Sequence, residues 1–535
     1  MSQAALGKIV TELDVLIRAR YPLIAINTSE EARFARIMQA VSQLKCHQEK
    51  DKGLFVWSRT TGLRQIAGSE LKGGKEIIAP DTQDAASVLE YIARQKKGLF
   101  VLCDYSPYLA PYGQADPQLV RRLRELAWEI KGRHSNVLFV ERQFPDLAPL
   151  EKEIKSIELP LPDEHEVTAM LARQIQSLRD GDVPVEADER LREQLVQALL
   201  GLAESDIENV LAKAIIHGGG LTRDALPVIL EEKKSVIKGT GALTYTHAEP
   251  ADHLGGYHNL RHILMEAAAT FTPAAKAYGV EPMKGLLMVG LPGCGKDLTK
   301  KIASSVLGKS LLDLDFGSVM GEGGGVIGSS AISIKRALSI ATTLKGILGI
   351  SEFEKAVGGL ESSARTDGGE TARTIAYLLN WMQEQSEVFV IGTANDVRGL
   401  AAEQTRQGRF SHIVFVDLPT LEERREIFAV HLRKRERDPT TFDLDELAST
   451  TEGFSGAEIE AAVKAGLLRA FMEREREVAT ADIVDRARSI QPTSLIKREQ
   501  VESLRHWAKD HMALSAGGGL SPIKERIQLT RALEM

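Results

Sequence analysis

The sequence predicts an α/β protein built twice over: two parallel sheets flanked by helices, each followed by a small all-helical domain. Three observations carry this. Apolar strands and amphipathic helices alternate through the C-terminal half, the pattern of a parallel sheet covered by helices. The N-terminal half repeats the plan. Two segments of one half also correspond to two segments of the other, in the same order.

In the N-terminal half the expected strands are Leu23–Asn27, Leu54–Trp57, Leu99–Cys103 and Val137–Val140. Ile157-Glu158-Leu159-Pro160-Leu161-Pro162-Asp163-Glu164 resembles the later Val414-Phe415-Val416-Asp417-Leu418-Pro419-Thr420-Leu421-Glu422. Gly201-Leu202-Ala203-Glu204-Ser205-Asp206-Ile207-Glu208-Asn209 resembles Gly453-Phe454-Ser455-Gly456-Ala457-Glu458-Ile459-Glu460-Ala461. A polar, glycine-rich junction, Lys238-Gly239-Thr240-Gly241, marks the boundary between the halves. In the C-terminal half, strands are expected at Leu286–Val289, Ser310–Leu314, Ile347–Ile350, Val388–Gly392 and His412–Val416. Helices fit Lys296–Leu307, Ile332–Thr343, Glu370–Gln385 and Leu421–Arg433. The stretch from about Phe442 to Arg488 is helical in pattern, and a helical Arg498–Leu514 precedes the breaker Gly517-Gly518-Gly519 and a basic terminal helix from about Pro522. The expected division is 1–165, 166–240, 241–435, 436–492 and 493–535, with the last segment a docking or oligomer-stabilising tail.

The bulk properties suit a soluble globular protein. The chain has 535 residues, 43% of them hydrophobic and 26% charged. A net charge of -7 supplies no electrostatic argument for nucleic acid or an anionic membrane. Cys46, Cys103 and Cys294 are far apart and form no CxxC pair, which fits a reducing compartment. No signal peptide is read at Met1-Ser2-Gln3, and no apolar run approaches the roughly 18 residues that span a bilayer. A cytoplasmic protein is expected.

The chemistry concentrates after the strand Leu286–Val289. Gly290-Leu291-Pro292-Gly293-Cys294-Gly295-Lys296 has the glycine-lysine frame of a phosphate-binding loop. Such a loop works because successive backbone N–H groups face one concavity and the following helix adds its positive end. Lys296 is the mobile cation for the β- and γ-phosphates, and Leu298 lies on the helix that follows; Cys294 reads as a small loop residue. The first half has Thr28-Ser29-Glu30-Glu31 at the equivalent point, with no Gly-Lys pair, and is read as a non-binding copy. Glu352, after an apolar strand, can polarise an attacking water. Asn395, at the end of Ile391-Gly392-Thr393-Ala394-Asn395, is placed to orient that water. Arg406 and Arg409 are spaced to reach out of the domain toward a neighbour's γ-phosphate.

These residues resemble those of the AAA ATPases, and the likeness also rests on Gly456-Ala457-Glu458. More narrowly, the chain resembles the AAA family encoded in cyanobacterial and plastid genomes, through Leu254-Gly255-Gly256, Trp381-Met382-Gln383-Glu384, Gly408-Arg409-Phe410 and Leu504-Arg505-His506-Trp507-Ala508-Lys509. The resemblance implies a P-loop NTPase sheet with a helical lid, preceded by a degenerate AAA-like domain. It implies ATP and Mg²⁺ as cofactors and a hexameric ring that remodels a protein partner. Leu254 and Gly255 would bracket the base, and Gly456 and Ala457 would close the pocket from the lid.

The sequence departs from the implied pattern in three places. The residue after Lys296 should carry a hydroxyl for Mg²⁺, and is Asp297; the strand Gly346–Ile350 should end in Asp-Glu, and ends in Ser351-Glu352. Carboxylate and hydroxyl have exchanged positions. Two carboxylates about 5 Å apart at an effective dielectric near 20 would repel by roughly 3 kcal/mol, and Ser351 avoids this. Asp297 and Ser351 are therefore the expected metal ligands. Without a metal, Asp297 would repel the phosphates, so nucleotide binding is expected to depend on a divalent ion. Second, the loop after the second strand, Gly317-Ser318-Val319-Met320-Gly321-Glu322, carries no aromatic residue; Val319 and Met320 are the expected pore-lining pair, and the segment runs on into Gly323–Ser330. Gly358–Gly369, with Arg365, is a candidate second inward loop. Third, His253 stands ahead of Leu254 where an acid is common. A nucleotide-locked scaffold with little hydrolysis is the alternative reading.

Overall fold

The computed structural model describes residues 7–48, 52–67, 77–111, 114–142, 144–145, 147–186, 188–239, 241–321, 329–358, 370–397, 408–511 and 513–517. It divides into two compact units, Met1–Leu230 and Glu231–Met535. No described helix is long and apolar enough to cross a membrane.

The first unit holds a seven-stranded sheet. Its strands are β1 (Leu23–Asn27), β2 (Leu54–Ser58), β3 (Gly62–Ala67), β4 (Ile77–Ile78), β5 (Lys97–Cys103), β6 (His134–Glu141) and β7 (Ile154–Glu158), in the order β4-β3-β2-β5-β6-β1-β7. The five strands from β2 to β7 run parallel, with Leu23 of β1 opposite Val137 and Ile154. Helices cover both faces, so β6 is apolar at consecutive positions: Val137 and Phe139 enter one core with Trp57 and Phe100, while Leu138 and Val140 enter the other with Ile24 and Phe34. β3 and β4 are antiparallel additions that the strand pattern did not foretell.

At the tip of β1, where the second half carries its glycine-lysine loop, this unit is filled by ion pairs. The buried Arg33 guanidinium lies 3.1 Å from Glu30 and 2.9 Å from Glu166, and the Glu30 carboxylate accepts the Glu204 backbone N–H. Arg36 pairs with Glu204. Glu166 and Glu204 belong to the helices Glu164–Asp180 and Glu204–Gly218, so the small helical domain is tied down over a loop whose negative end is already neutralised.

The second unit has strands β8 (Leu243–Thr246), β9 (Gly285–Gly290), β10 (Leu311–Leu314), β11 (Ile347–Ile350), β12 (Phe389–Ala394), β13 (His412–Val416) and β14 (Leu514–Ser515), in the order β14-β13-β9-β12-β11-β10-β8. Its five central strands, β13-β9-β12-β11-β10, repeat the order of β7-β1-β6-β5-β2 strand for strand. The two sequence correspondences fall on β7 and β13, and on the helices Glu204–Gly218 and Gly456–Met472. The helical lid packs Phe428, Leu447, Phe454, Ile459, Val463 and Ile483 into its own core.

Two expectations meet a different outcome. The helix from Arg498 stops at Asp510, and Leu514–Ser515 is a strand that pairs in parallel with β13. Ala516 N–H donates to the Phe415 carbonyl at 2.9 Å, and Asn259 Nδ2 donates to the Ser515 and Gly517 carbonyls. The open edge of β13 offers backbone groups, and this short segment satisfies them. Val319 is fully buried on the short helix Phe316–Gly321, so it is a core residue and not a gripping one. Residues 322–328, the segment 359–369 with Arg365, and the terminal helix from Pro522 lie outside the described residues.

Candidate functional site

The glycine-lysine loop turns out of β9 at the carboxyl edge of the second sheet. A Cβ on Gly290 would lie 2.1 Å from the Val416 carbonyl oxygen, so the loop leaves the sheet in contact with β13 backbone. Gly293 and Gly295 take φ of +81° and +82°, the left-handed region that glycine enters without cost. The helix Lys296–Leu307 then begins. The lid closes on this loop: Ala457 N–H donates to the Gly293 carbonyl at 3.0 Å. A Cβ on Gly293 would stand 3.1 Å from Ser455 Oγ and 3.2 Å from Ala457 Cβ.

Between loop and lid is a cavity of about 570 Å³. Of the expected residues, Leu254, Gly255, Pro292, Gly293, Cys294, Gly295, Lys296, Asp297, Leu298, Ser351, Glu352, Asn395, Gly456 and Ala457 line it. Gly290 does not; it shapes the loop from below. Arg409 is partly buried just before β13 and is not in the lining, and Arg406 lies outside the described residues.

One end of the cavity is apolar. Leu254, Gly255, Ile427, Val430 and His431 form it. A Cβ on Gly255 would stand 2.9 Å from Ile427 Cα, so only glycine lets this strap lie on the lid helix. Burial pushes His431 down to about 4, which keeps its ring neutral in the cavity wall. His253 makes a 2.7 Å contact with Glu249 through Nδ1. Tyr257, which sequence reasoning did not single out, sits at φ +56° with its hydroxyl donating to the Cys294 carbonyl at 2.7 Å. It braces the loop from the side. Burial pushes the Cys294 thiol up to about 12, so the loop cysteine is an inert small residue.

The other end is charged. Lys296 Nζ donates to the Gly290 and Leu291 carbonyls, both at 2.7 Å, and burial pushes its pKa down to about 8. The ammonium is folded back on its own loop. Glu352 follows β11 at φ +52°, an uncommon conformation for a residue with a side chain. Its carboxylate pairs with Lys355 at 2.8 Å and is half exposed. Glu354, also missed in the sequence, is buried; its Oε1 accepts the Asn395 N–H at 3.0 Å, and burial holds its carboxyl above the usual range. It fixes the strand end that presents Asn395, whose carbonyl accepts a bond from Gln500 Nε2 at 3.1 Å.

The matches with known proteins follow the same layout. Residues 9–159 match the SpoVK-like AAA ATPase N-terminal domain, and residues 165–240 match the second domain of that type. Residues 286–418 match the AAA family, the ATPase family associated with various cellular activities, and residues 441–485 match the AAA+ lid domain. The chain is 32% identical over 501 residues to the "Uncharacterized AAA domain-containing protein ycf46" of Trieres chinensis, covering 93% of this chain and 96% of that one. The protein of that name in Pyropia yezoensis is 32% identical over 509 residues, covering 94% and 98%. The chain belongs to the ycf46 family of AAA domain-containing proteins. A shorter match, 32% identical over 209 residues, is to the "Proteasome-activating nucleotidase" of Archaeoglobus fulgidus, covering 38% of this chain and 51% of that one.

AAA membership implies a divalent ion at the triphosphate, and in this ycf46-family chain the expected ligands were Asp297 and Ser351. The structure brings both together, but around a different cation. Lys300 Nζ lies 3.1 Å from Asp297 Oδ1, 2.7 Å from Asp313 Oδ1 and 2.7 Å from Ser351 Oγ. Magnesium binds its oxygens at about 2.1 Å. An ion on Ser351 Oγ would then be within about 5 Å of the ammonium. At an effective dielectric near 20, that repulsion is on the order of 7 kcal/mol. The donor set as folded is filled by the ammonium, and Mg²⁺ fits it only if Lys300 is displaced. The lysine could have been suspected from its place on the helix, three residues after Asp297. That it meets Asp313 and Ser351 could not, because those come from two other strands.

Proposed function

We propose that this chain is an ATP-binding AAA protein that assembles as a ring and couples its nucleotide state to the remodelling of a protein partner. The observation that carries the reading is the cavity where Lys296, Asn395, the left-handed glycines and the lid residues Gly456 and Ala457 converge. The apolar end would take the base. The backbone N–H groups of the loop and Lys296, swung off its two carbonyls, would take the phosphates. Glu352 would polarise the attacking water once it leaves Lys355, with Asn395 orienting it. Arg409, with Arg406, would serve the neighbouring subunit's nucleotide, which makes the contact head-to-tail and the assembly cyclic. The family resemblance suggests six subunits. Exposed Leu468, Phe471 and Met472 on one lid helix support a further contact surface. The three cysteines are unpaired, in keeping with a cytoplasmic protein. The five-part division drawn from the sequence accompanies this reading.

A nucleotide-locked scaffold with little turnover is the second reading. It is favoured by the Glu352–Lys355 pair and by the ammonium among the expected metal ligands. Steady-state ATP hydrolysis by the wild type and Glu352→Gln separates the two. A working enzyme loses turnover roughly a hundredfold or more in the variant. A scaffold shows the same residual rate in both.

A further inference from the structure

The Lys300 cluster is a built site and not a chance surface contact. The Lys300 ammonium donates to Asp313 on β10 and to Ser351 after β11, and it forms an ion pair at 3.1 Å with Asp297 of its own helix. The lysine side chain is only 4% exposed. Asp313 is held in turn by Thr246 Oγ1 of β8 at 2.7 Å. The sheet also makes room for the pair: a Cβ on Gly349 of β11 would lie 2.3 Å from Asp313 Oδ1 and 3.1 Å from Lys300 Cδ. The missing side chain at position 349 is the notch in which the ion pair sits.

Two consequences bear on the cavity. Asp297, which alone would repel a triphosphate, shares the Lys300 charge with Asp313, so its repulsion is partly offset from behind. Ser351 Oγ accepts its bond from Lys300, which leaves the hydroxyl proton to donate, and Ser351 lines the cavity. A hydroxyl that donates to a phosphate oxygen does a different task from one that ligates a metal.

We infer that Lys300 is a resident cation that takes the place of the divalent ion, so that this chain holds a nucleoside triphosphate without magnesium. This rests on the nucleotide-binding reading and reverses the metal dependence that the sequence suggests. This positive charge is part of the chain, fixed by helix, strand and strand end, and it cannot be chelated away.

The experiment is calorimetric titration of ATP into the full-length protein, once in excess EDTA and once in excess MgCl₂. The two dissociation constants of the wild type agree within about threefold. In Lys300→Met, which keeps an apolar stem and removes the charge, affinity in EDTA falls by about tenfold or more, and MgCl₂ restores it. Asp313 could destabilise that variant, so Lys300→Met combined with Asp313→Asn is measured beside it and shows the same metal requirement. The inference is overturned if the wild type binds more than about threefold more weakly in EDTA than in MgCl₂, or if the well-folded Lys300 variants bind equally in both. Absence of ATP binding in every condition overturns the nucleotide reading itself, and this inference with it.

Discussion

If the cavity takes ATP as proposed, its affinity is expected to depend on pH through Lys296, with a sign that the structure sets. Without ligand its ammonium is buried against two carbonyls, and burial holds its pKa at about 8 against an ordinary 10.5. A bound triphosphate, fully ionised at this pH, returns the lysine to its ordinary range or above. Binding is then accompanied by proton uptake wherever the free protein has lost the proton and the complex keeps it, from pH 8 upward. Across that window affinity falls about tenfold per pH unit, a total of roughly 3 kcal/mol by pH 10.5. The folding equilibrium of the free protein has the opposite trend. Its folded-state pKa is depressed, so the unfolded chain binds more protons between pH 8 and 10.5, and stability rises with pH over that range as the cost of burying the charge is relieved. The assay is ATP titration calorimetry at a series of pH values, in buffers of different ionisation enthalpy to count protons. Lys296→Met binds weakly and shows no proton uptake, which separates this lysine from Lys309, also held at about 8 but bonded to the carbonyls of Lys345 and Glu387. An affinity that is flat from pH 8 to 10 refutes the reasoning. So does uptake that persists in Lys296→Met.

Two further outcomes concern stability. Gly290→Ala places a methyl carbon 2.1 Å from a strand carbonyl that cannot move without breaking the β9–β13 ladder. A loss of about 3 kcal/mol or more is expected by chemical denaturation, and a loss under about 1 kcal/mol would show that the loop can shift. Arg33→Ala leaves Glu30 and Glu166 without their shared partner in a buried setting. It should destabilise the first unit by roughly 3–5 kcal/mol, seen as an earlier transition for that unit, while Arg505→Ala, which breaks an exposed pair with Asp417, costs about 1 kcal/mol or less.

Most of both sheets was legible because a parallel strand buried on two faces is an unbroken apolar run. β1, β9 and β11 are examples, and the helices between them carry their own periodicity. Strands whose ordering depends on a partner were not legible. β14 is two residues long and exists because β13 has an edge to fill; β8 pairs antiparallel with β10 for the same reason. Val319 misled because the sequence position resembled a loop, whereas Asp315 starts a short helix there by accepting bonds from Ser318.

The sequence by itself determined the α/β plan, its duplication, the phosphate-type loop with Lys296 and the exchange of Asp297 and Ser351, because each is written in adjacent residues or in a fixed period. Only the tertiary structure decided what lies between the exchanged pair. Asp297 and Lys300 share a helix turn, but Asp313, Gly349 and Ser351 come from strands that meet only when β10 and β11 pair. A charge cluster assembled across a sheet has no linear signature, and here it supplies the cation that the linear motif led one to seek in solution.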